Sequence, residues 1–468
     1  MLLGYDIGSS SVKASIVDAR TGTCLATTFF PKQEMPIHSP QPGFAEQDPA
    51  QWWKAAVECT HELLRQLQAA GKKADIHAIG ISYQMHGLVC MGKTEALRPS
   101  IIWCDSRAVR YGNNFTAGKL AWVRENEPEV YNRIEKILLP GDYIACKLTG
   151  DMRTTVSGLS EGLFWDMQHN CLNESEISRL HLNRSLLADT VPTFGMQGKL
   201  TPTAAAELGL TAGIPITYRA GDQPNNALSL GVLDDGEVAA TGGTSGVVYA
   251  VSDRHVSDPL NRVNPFVHVN GKTGILLCIN SVGILNAWLH RNVAADLSYT
   301  QMNDLAATVP VGSAGLTLIP FGNGAERILQ NRQTHCSIHG LEFNTHSRAH
   351  LIRAAHESIA FAFAYGMQVM NGLGAPTHLI RAGHSNLFLS PIFRQTLSTL
   401  TGAQILLFNT DGSIGAARGA GIGVGLYSTP RDAFRTLQLV DEVRPDPEQT
   451  DATREAYNRW MTLLDNKH

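Results

Sequence analysis

The sequence predicts an α/β protein of two similar domains. Short apolar strands, an amphipathic helix and a buried strand open the chain, and a similar order returns after about residue 237. Each half also carries one glycine turn between strands, Asp6-Ile-Gly8-Ser9 in the first and Gly242-Gly243-Thr244 in the second. The expected domains are therefore 1–236 and 237–468, each large enough to bury its own core.

The elements follow in order. Leu2 to Ile7, Val12 to Asp18 and Cys24 to Phe30 read as strands, with Asp18-Ala-Arg-Thr-Gly22 as the turn between the last two. A polar loop from His38 ends at Asp48-Pro49, a cap and first-turn pair that opens a helix over about Gln51 to Ala70. Ile76 to Tyr83 is a buried strand running into Gln84-Met85-His86-Gly87, and Ile214 to Ala220 is another, with a helix expected at about Asn225 to Leu230. In the second half, Glu237 to Thr241, Gly246 to Ser252 and Gly274 to Ile279 read as strands, and His346 to Leu373 and Ser390 to Thr401 as helices. Asp441 to Asp451 is expected to be a surface connection to a last helix ending near Leu464.

Composition narrows the function classes. The net charge of -4 and the lack of a long basic run leave no electrostatic footprint for nucleic acid, so any phosphate must be bound locally, by backbone amides and a metal. No apolar run approaches the ~18 residues of a membrane span. Met1-Leu-Leu-Gly-Tyr-Asp6 has no basic start and is not expected to be a signal peptide. The eight cysteines lie singly, without a Cys-x-x-Cys pair, which fits a reducing cytoplasm better than a disulfide framework or zinc ribbon.

Three segments carry chemistry. At Asp6-Ile-Gly8-Ser9-Ser10-Ser11, a strand delivers an acid to its end. Gly8 turns the chain, and the following amides and hydroxyls suit phosphate oxygens. Asp6 can hold Mg²⁺ through water; a hairpin satisfying its own backbone would leave the same string. Gly242-Gly243-Thr244-Ser245-Gly246 is the second such turn, readable alone as a tight β-turn. Asp222 in Gly221-Asp222-Gln223 sits past a strand end, where a carboxylate can take a proton from an attacking hydroxyl; the ordinary fate of such an Asp is a helix cap. Gln84-Met85-His86 and Trp103-Cys-Asp105-Ser-Arg107 offer the aromatic face and directional polar groups that a polyhydroxylated ligand needs. His346 and His350 stand four apart on an expected helix, but without a carboxylate in the zincin position.

With these residues in place the chain resembles the FGGY carbohydrate kinases. The likeness runs in order through Asp6-Ile-Gly-Ser, Gly43-Phe-Ala-Glu-Gln-Asp48 before Trp52-Trp53, Gln84-Met-His-Gly87, Trp103-Cys-Asp105-Ser-Arg107 and Leu139-Pro-Gly-Asp-Tyr143. It continues through Gly221-Asp222-Gln223, Thr241-Gly-Gly-Thr-Ser245, Pro320-Phe-Gly-Asn-Gly324 and Gly415-Ala-Ala-Arg-Gly419. The resemblance implies an actin-like (ribonuclease H-like) two-domain ATPase fold with a cleft between domains, using ATP and Mg²⁺. It implies Asp222 as proton acceptor, Asp6 at the metal, and Gly8, Ser9, Ser10, Gly243 and Thr244 at the phosphates. Gln84, Met85, His86, Trp103, Asp105 and Gln223 fall to the sugar, which puts the sugar and Mg-phosphate side in the first domain and the nucleotide side in the second.

Gln84-Met-His-Gly87 points to family members acting on D-xylulose rather than glycerol, with L-ribulose, L-fuculose or a glycerol-like polyol as alternatives. The chain departs from the family at Arg381-Ala-Gly383-His-Ser-Asn386, where consecutive glycines are usual; Gly383 and Asn386 are the expected adenine contacts. Homodimers are common in the family. Actin-like folds also serve chaperones and filament proteins, but these need no sugar-facing base, His or Trp, and intact Asp6 and Asp222 argue against a catalytically dead sugar-binding regulator.

Overall fold

A computed structural model describes residues 1–332 and 334–465. The Leu2–Ile7 strand pairs in parallel with Ala78–Tyr83, which pairs in parallel with Pro215–Gly221. Val12–Val17 and Cys24–Phe30 extend this sheet antiparallel on one side and Phe194–Lys199 on the other. With the antiparallel strand Phe194–Lys199 set aside, the other five strands, numbered along the chain, stand in the order 3-2-1-4-5, and Phe194–Lys199 pairs outside Pro215–Gly221.

The second sheet repeats that order. Thr273–Ile279, Gly246–Ser252 and Glu237–Gly242 are antiparallel neighbours, and Leu379–Gly383 and Gln404–Phe408 follow in parallel. Asn264–Val267 and Leu439–Val443 close its two edges.

The chain forms two compact units, and their boundaries do not follow it in one pass. The first comprises Met1–Gly231, Phe266–Gly271 and Thr410–Leu437; the second comprises Val232–Pro265, Lys272–Asn409 and the chain from Gln438. The excursion at 410–437 has a packing reason. The Gly412–Gly423 helix, GSIGAARGAGIG, is almost all small residues and lies on the first sheet. A Cβ on Gly80 would fall 2.0 Å from the Ala416 carbonyl oxygen, and one on Gly4 2.0 Å from that of Ser413. Successive residues of a strand face opposite sides. Tyr5, next to Gly4, therefore points to the other face, where its hydroxyl meets Thr60 Oγ1 at 2.6 Å on the Pro49–Ala69 helix.

Most boundaries agree with expectation to within two residues, and Asp48 caps the Pro49–Ala69 helix by accepting from the Ala50 amide. Four readings change. The helix expected from Asn225 begins at Asp222, directly on the strand end. The surface connection expected from Asp441 begins inside the edge strand Leu439–Val443, which pairs with Gln404–Phe408. The helix expected from His346 starts at Arg348, so His346 stands outside it. His350 Nδ1 instead accepts the Ser347 amide, which closes a capping box.

Candidate active site

Register brings the first set of residues together. Ile7 is level with Tyr83, and Tyr83 with Gly221, so three strands end side by side. The residues that follow, Gly8-Ser9-Ser10, Gln84-Met85-His86 and Asp222-Gln223, leave the sheet at one edge, beside Asp6. Ligand chemistry in parallel α/β sheets collects at such carboxyl ends.

Asp6 Oδ1 accepts from Ser82 Oγ at 2.7 Å. Burial raises its carboxyl above the usual range, and the Asp411 carboxylate adds to the shift. Asp222 is the first residue of its helix, with Gly221 in the cap position and no side-chain capping bond. It is therefore not a helix cap. Burial, and then repulsion from Asp6, push its carboxyl up to about 7, a range suited to taking a proton near neutral pH. Among the described residues no cluster of three or more His, Cys, Asp or Glu could hold a metal. Asp6 and Asp222, whose carboxyls repel one another, nevertheless suit Mg²⁺, which takes one or two carboxylates and keeps much of its water.

Gln47 ties the loops at this edge. Its amide nitrogen donates to the Ser9 carbonyl at 2.7 Å, while its Oε1 accepts from Trp52 Nε1 at 3.1 Å and from Gln84 Nε2 at 3.5 Å. Ser10 is exposed, and its carbonyl accepts the Met35 amide.

The Trp103–Arg107 segment divides in two. Trp103 is 52% exposed and donates from Nε1 to Ser9 Oγ at 3.3 Å. Asp105 is fully buried. Its oxygens are engaged by Arg107 and by the Ala45 amide at 2.6 Å, so it holds the loop rather than presenting an open carboxylate.

His86 takes φ 61°, a left-handed conformation uncommon for a non-glycine residue. Both of its peptide groups are engaged: the amide donates to Glu161 Oε1 at 3.3 Å and the carbonyl accepts from Lys119 Nζ at 2.7 Å. The ring Nδ1 donates to the Glu161 carbonyl at 2.9 Å, and the ring packs at 4.4 Å from Phe115 and 5.5 Å from Phe266. Glu161 is buried, and burial holds its carboxyl well above the usual range. Lys119 is pushed down to about 7 by the same cause. Gly221 leaves room for both neighbours, since a Cβ there would lie 2.4 Å from Glu161 Oε2 and 2.5 Å from Met85 Cγ. Gln84 Oε1 and Gln223 Oε1 are buried acceptors, and Glu161 Oε2 a buried carboxyl oxygen, without a hydrogen-bond partner among the described residues, which suits a ligand rich in hydroxyls.

The second unit carries a cavity of about 590 Å³. Gly242, Gly243 and Thr244 line it, with Asn286, Asn386 and Ser390; Gly383 is not among the lining residues. The start of the Gly283–Asn292 helix seats on this turn, where the Gly283 amide donates to the Gly243 carbonyl at 2.9 Å. A Cβ on Gly283 would fall 2.4 Å from that oxygen. Glycine turns and a helix N-terminus at one place suit phosphate.

Comparison with known proteins decides the family. The FGGY family of carbohydrate kinases, N-terminal domain, matches residues 1–114 and 110–229, and its C-terminal domain matches 238–423. The chain belongs to the FGGY family of carbohydrate kinases. This FGGY kinase is 29% identical to xylulose kinase of Escherichia coli (strain K12), over 99% of each chain. Its likeness to xylulose kinase of Klebsiella pneumoniae is 27%, over 95% of each. The crystal structure of xylulose kinase from Rhodospirillum rubrum superposes with a TM-score of 0.91 at 26% identity, covering 99% of this chain and 98% of that one. The fold is thus the two-domain actin-like α/β fold of the sugar kinases. Among the described residues no helix is long and apolar enough to cross a membrane.

Sequence reasoning missed Gln47 as the hub, Glu161 and Lys119 under His86, and Gly283 and Asn286 at the cavity. Gly283 had a usable signal: a glycine shortly after a strand, opening a helical pattern. Glu161 had none, because nothing local marks it as the partner of a residue 75 positions away.

Proposed function

We propose that this chain phosphorylates D-xylulose on its C5 hydroxyl with ATP, giving D-xylulose 5-phosphate and ADP. The observation that carries the reading is the common sheet edge, where Asp6, His86 and Asp222 emerge together and Asp222 has a carboxyl raised to about 7. Asp222 accepts the hydroxyl proton as the sugar oxygen bonds to the γ-phosphorus and the bond from phosphorus to the ADP oxygen breaks. Gln84, Met85, His86 and Gln223 contact the sugar, and Trp103 covers its apolar face. Asp105 serves by holding the Trp103 loop through Arg107 and Ala45.

Asp6 would hold Mg²⁺, which would offset charge on the transferring phosphoryl group. Gly8, Ser9 and Ser10 on the first unit, and Gly243 and Thr244 on the second, bind phosphate. Asn386, which lines the cavity, contacts the nucleoside, while Gly383, which does not line it, ends the preceding strand. The xylulose kinases that align over nearly the whole chain support the choice of sugar.

The test is ADP release across a panel of ketoses and polyols. D-xylulose should lead, ribulose should be weaker but measurable, and glycerol should be poor, because a site built on hydrogen bonds rejects ligands that leave its groups unpaired. Preference for glycerol, gluconate or a deoxyhexulose by about tenfold, some 1.4 kcal/mol in the wrong direction, would overturn the sugar and leave the kinase. ATP hydrolysis without sugar dependence would point to a non-kinase ATPase.

A further inference from the structure

His356 is buried in the Arg348–Gly372 helix, in a stretch whose neighbours include Ile359, Phe361 and Phe363, and it bridges two cavity-lining residues from below. Its Nε2 lies 3.0 Å from Asn286 Oδ1 on the Gly283–Asn292 helix, and its Nδ1 lies 3.0 Å from Ser390 Oγ, the cap of the Pro391–Thr401 helix. An imidazole in an apolar core costs free energy unless both nitrogens are paired, and here both are.

The direction of the chain can be read. Ser390 Oγ accepts the Phe393 amide at 3.3 Å, and the only acceptor for its hydroxyl hydrogen among the described residues is His356 Nδ1. With Nδ1 accepting, Nε2 carries the proton and donates to Asn286 Oδ1. Burial, with Arg353 adding repulsion, holds the ring down to about 4, so it stays neutral and in this tautomer near neutral pH. Asn286 then has its oxygen facing the core. Its Nδ2 has no protein partner among the described residues, on a side chain that lines the cavity.

We propose that His356 is a positioning residue for the nucleoside end of the bound nucleotide, fixing Asn286 so that its amide donates to a ring-nitrogen acceptor of the base. The end is set by geometry. Gly243 and Thr244 form the phosphate turn at the start of the Gly283–Asn292 helix, whereas Asn286 lies one turn along it, and Ser390 is grouped with Asn386. The inference rests on the nucleotide reading of this cavity and adds its polarity.

Calorimetric titration with Mg·ATP and with Mg-tripolyphosphate, which has no base, tests it on the full chain, with thermal melts alongside. His356→Gln keeps a donor near the Nε2 position and should bind both ligands like wild type. His356→Asn reaches Ser390 but not Asn286, and Asn286→Ala removes the donor itself. Both should weaken ATP by about fivefold, the scale of one neutral hydrogen bond, and leave tripolyphosphate unchanged. Wild-type ATP affinity in His356→Asn and Asn286→Ala, or a parallel loss of tripolyphosphate, would overturn the inference while the nucleotide reading stands. If wild type binds neither ligand, both readings fall.

Discussion

Gly412 lies against Asp6: a Cβ built on it would sit 2.4 Å from Asp6 Oδ2 and 2.7 Å from Cγ. The first residue of a helix from late in the chain therefore bounds the carboxylate of the first strand. Gly412→Ala must displace either the helix or an acid already pinned by Ser82 at 2.7 Å. The variant should fold and show a raised Mg²⁺ requirement with turnover down about tenfold or more, as should Asp6→Ala. A magnesium titration of initial rates reads this, and an unchanged requirement in both would make Asp6 a turn residue only.

Asp222→Ala should lose several decades of turnover, roughly the 10²–10⁴ attributed to general-base catalysis, while sugar and ATP still bind. Single-turnover rates beside equilibrium binding separate the two effects. Wild-type-like turnover would remove Asp222 as the base.

Glu161 supports His86 through one side-chain and one backbone contact, and only the first depends on residue type. Its carboxyl is raised, so Glu161→Gln keeps a neutral acceptor for the His86 amide and should be close to wild type. Glu161→Ala should raise the KM for the ketose more than that for ATP, as His86→Ala should. Equal effects on both KM values would mean that the residue supports folding alone.

Gly80→Ala should destabilise the first unit by about 1–3 kcal/mol or more, because the added methyl meets a backbone carbonyl at 2.0 Å. A shift in the urea midpoint at unchanged slope is the expected signature.

His356 gives a pH dependence of stability. Its folded value, about 4, lies below the ordinary histidine value of 6.5. Above 6.5 the ring is neutral folded and unfolded, and no stability is lost through it. As pH falls from 6.5 toward 4 the unfolded chain takes up a proton that the folded chain refuses. The loss grows to about 3 kcal/mol. Denaturant unfolding at pH 7 and pH 4.5 should show this fall in wild type and a smaller one in His356→Gln; equal falls would contradict it.

The sequence by itself determined the strands that carry the two glycine turns, the turns themselves and Asp222 at a strand end. Strand periodicity and turn chemistry are local, and Leu2–Ile7 with Gly8, or Pro215–Gly221 with Asp222, need no distant partner to be read. Only the tertiary structure decided which local features meet. Parallel register set Ile7, Tyr83 and Gly221 level, although 76 residues separate the first two. The Gly412–Gly423 helix falls within the expected second domain, 237–468; its close packing against Gly4 and Gly80 assigns it to the first unit. Asp105 was an expected sugar contact, and His346 and His350 were a helically spaced pair without the carboxylate of a metal motif. Burial and pairing made Asp105 a loop anchor, and backbone capping occupied His350. His356 carried no signal, because a histidine in an apolar helix gains its meaning from Asn286 and Ser390, 70 and 34 positions away. Hydrogen-bond partners of buried polar groups are set by packing, which local sequence does not encode.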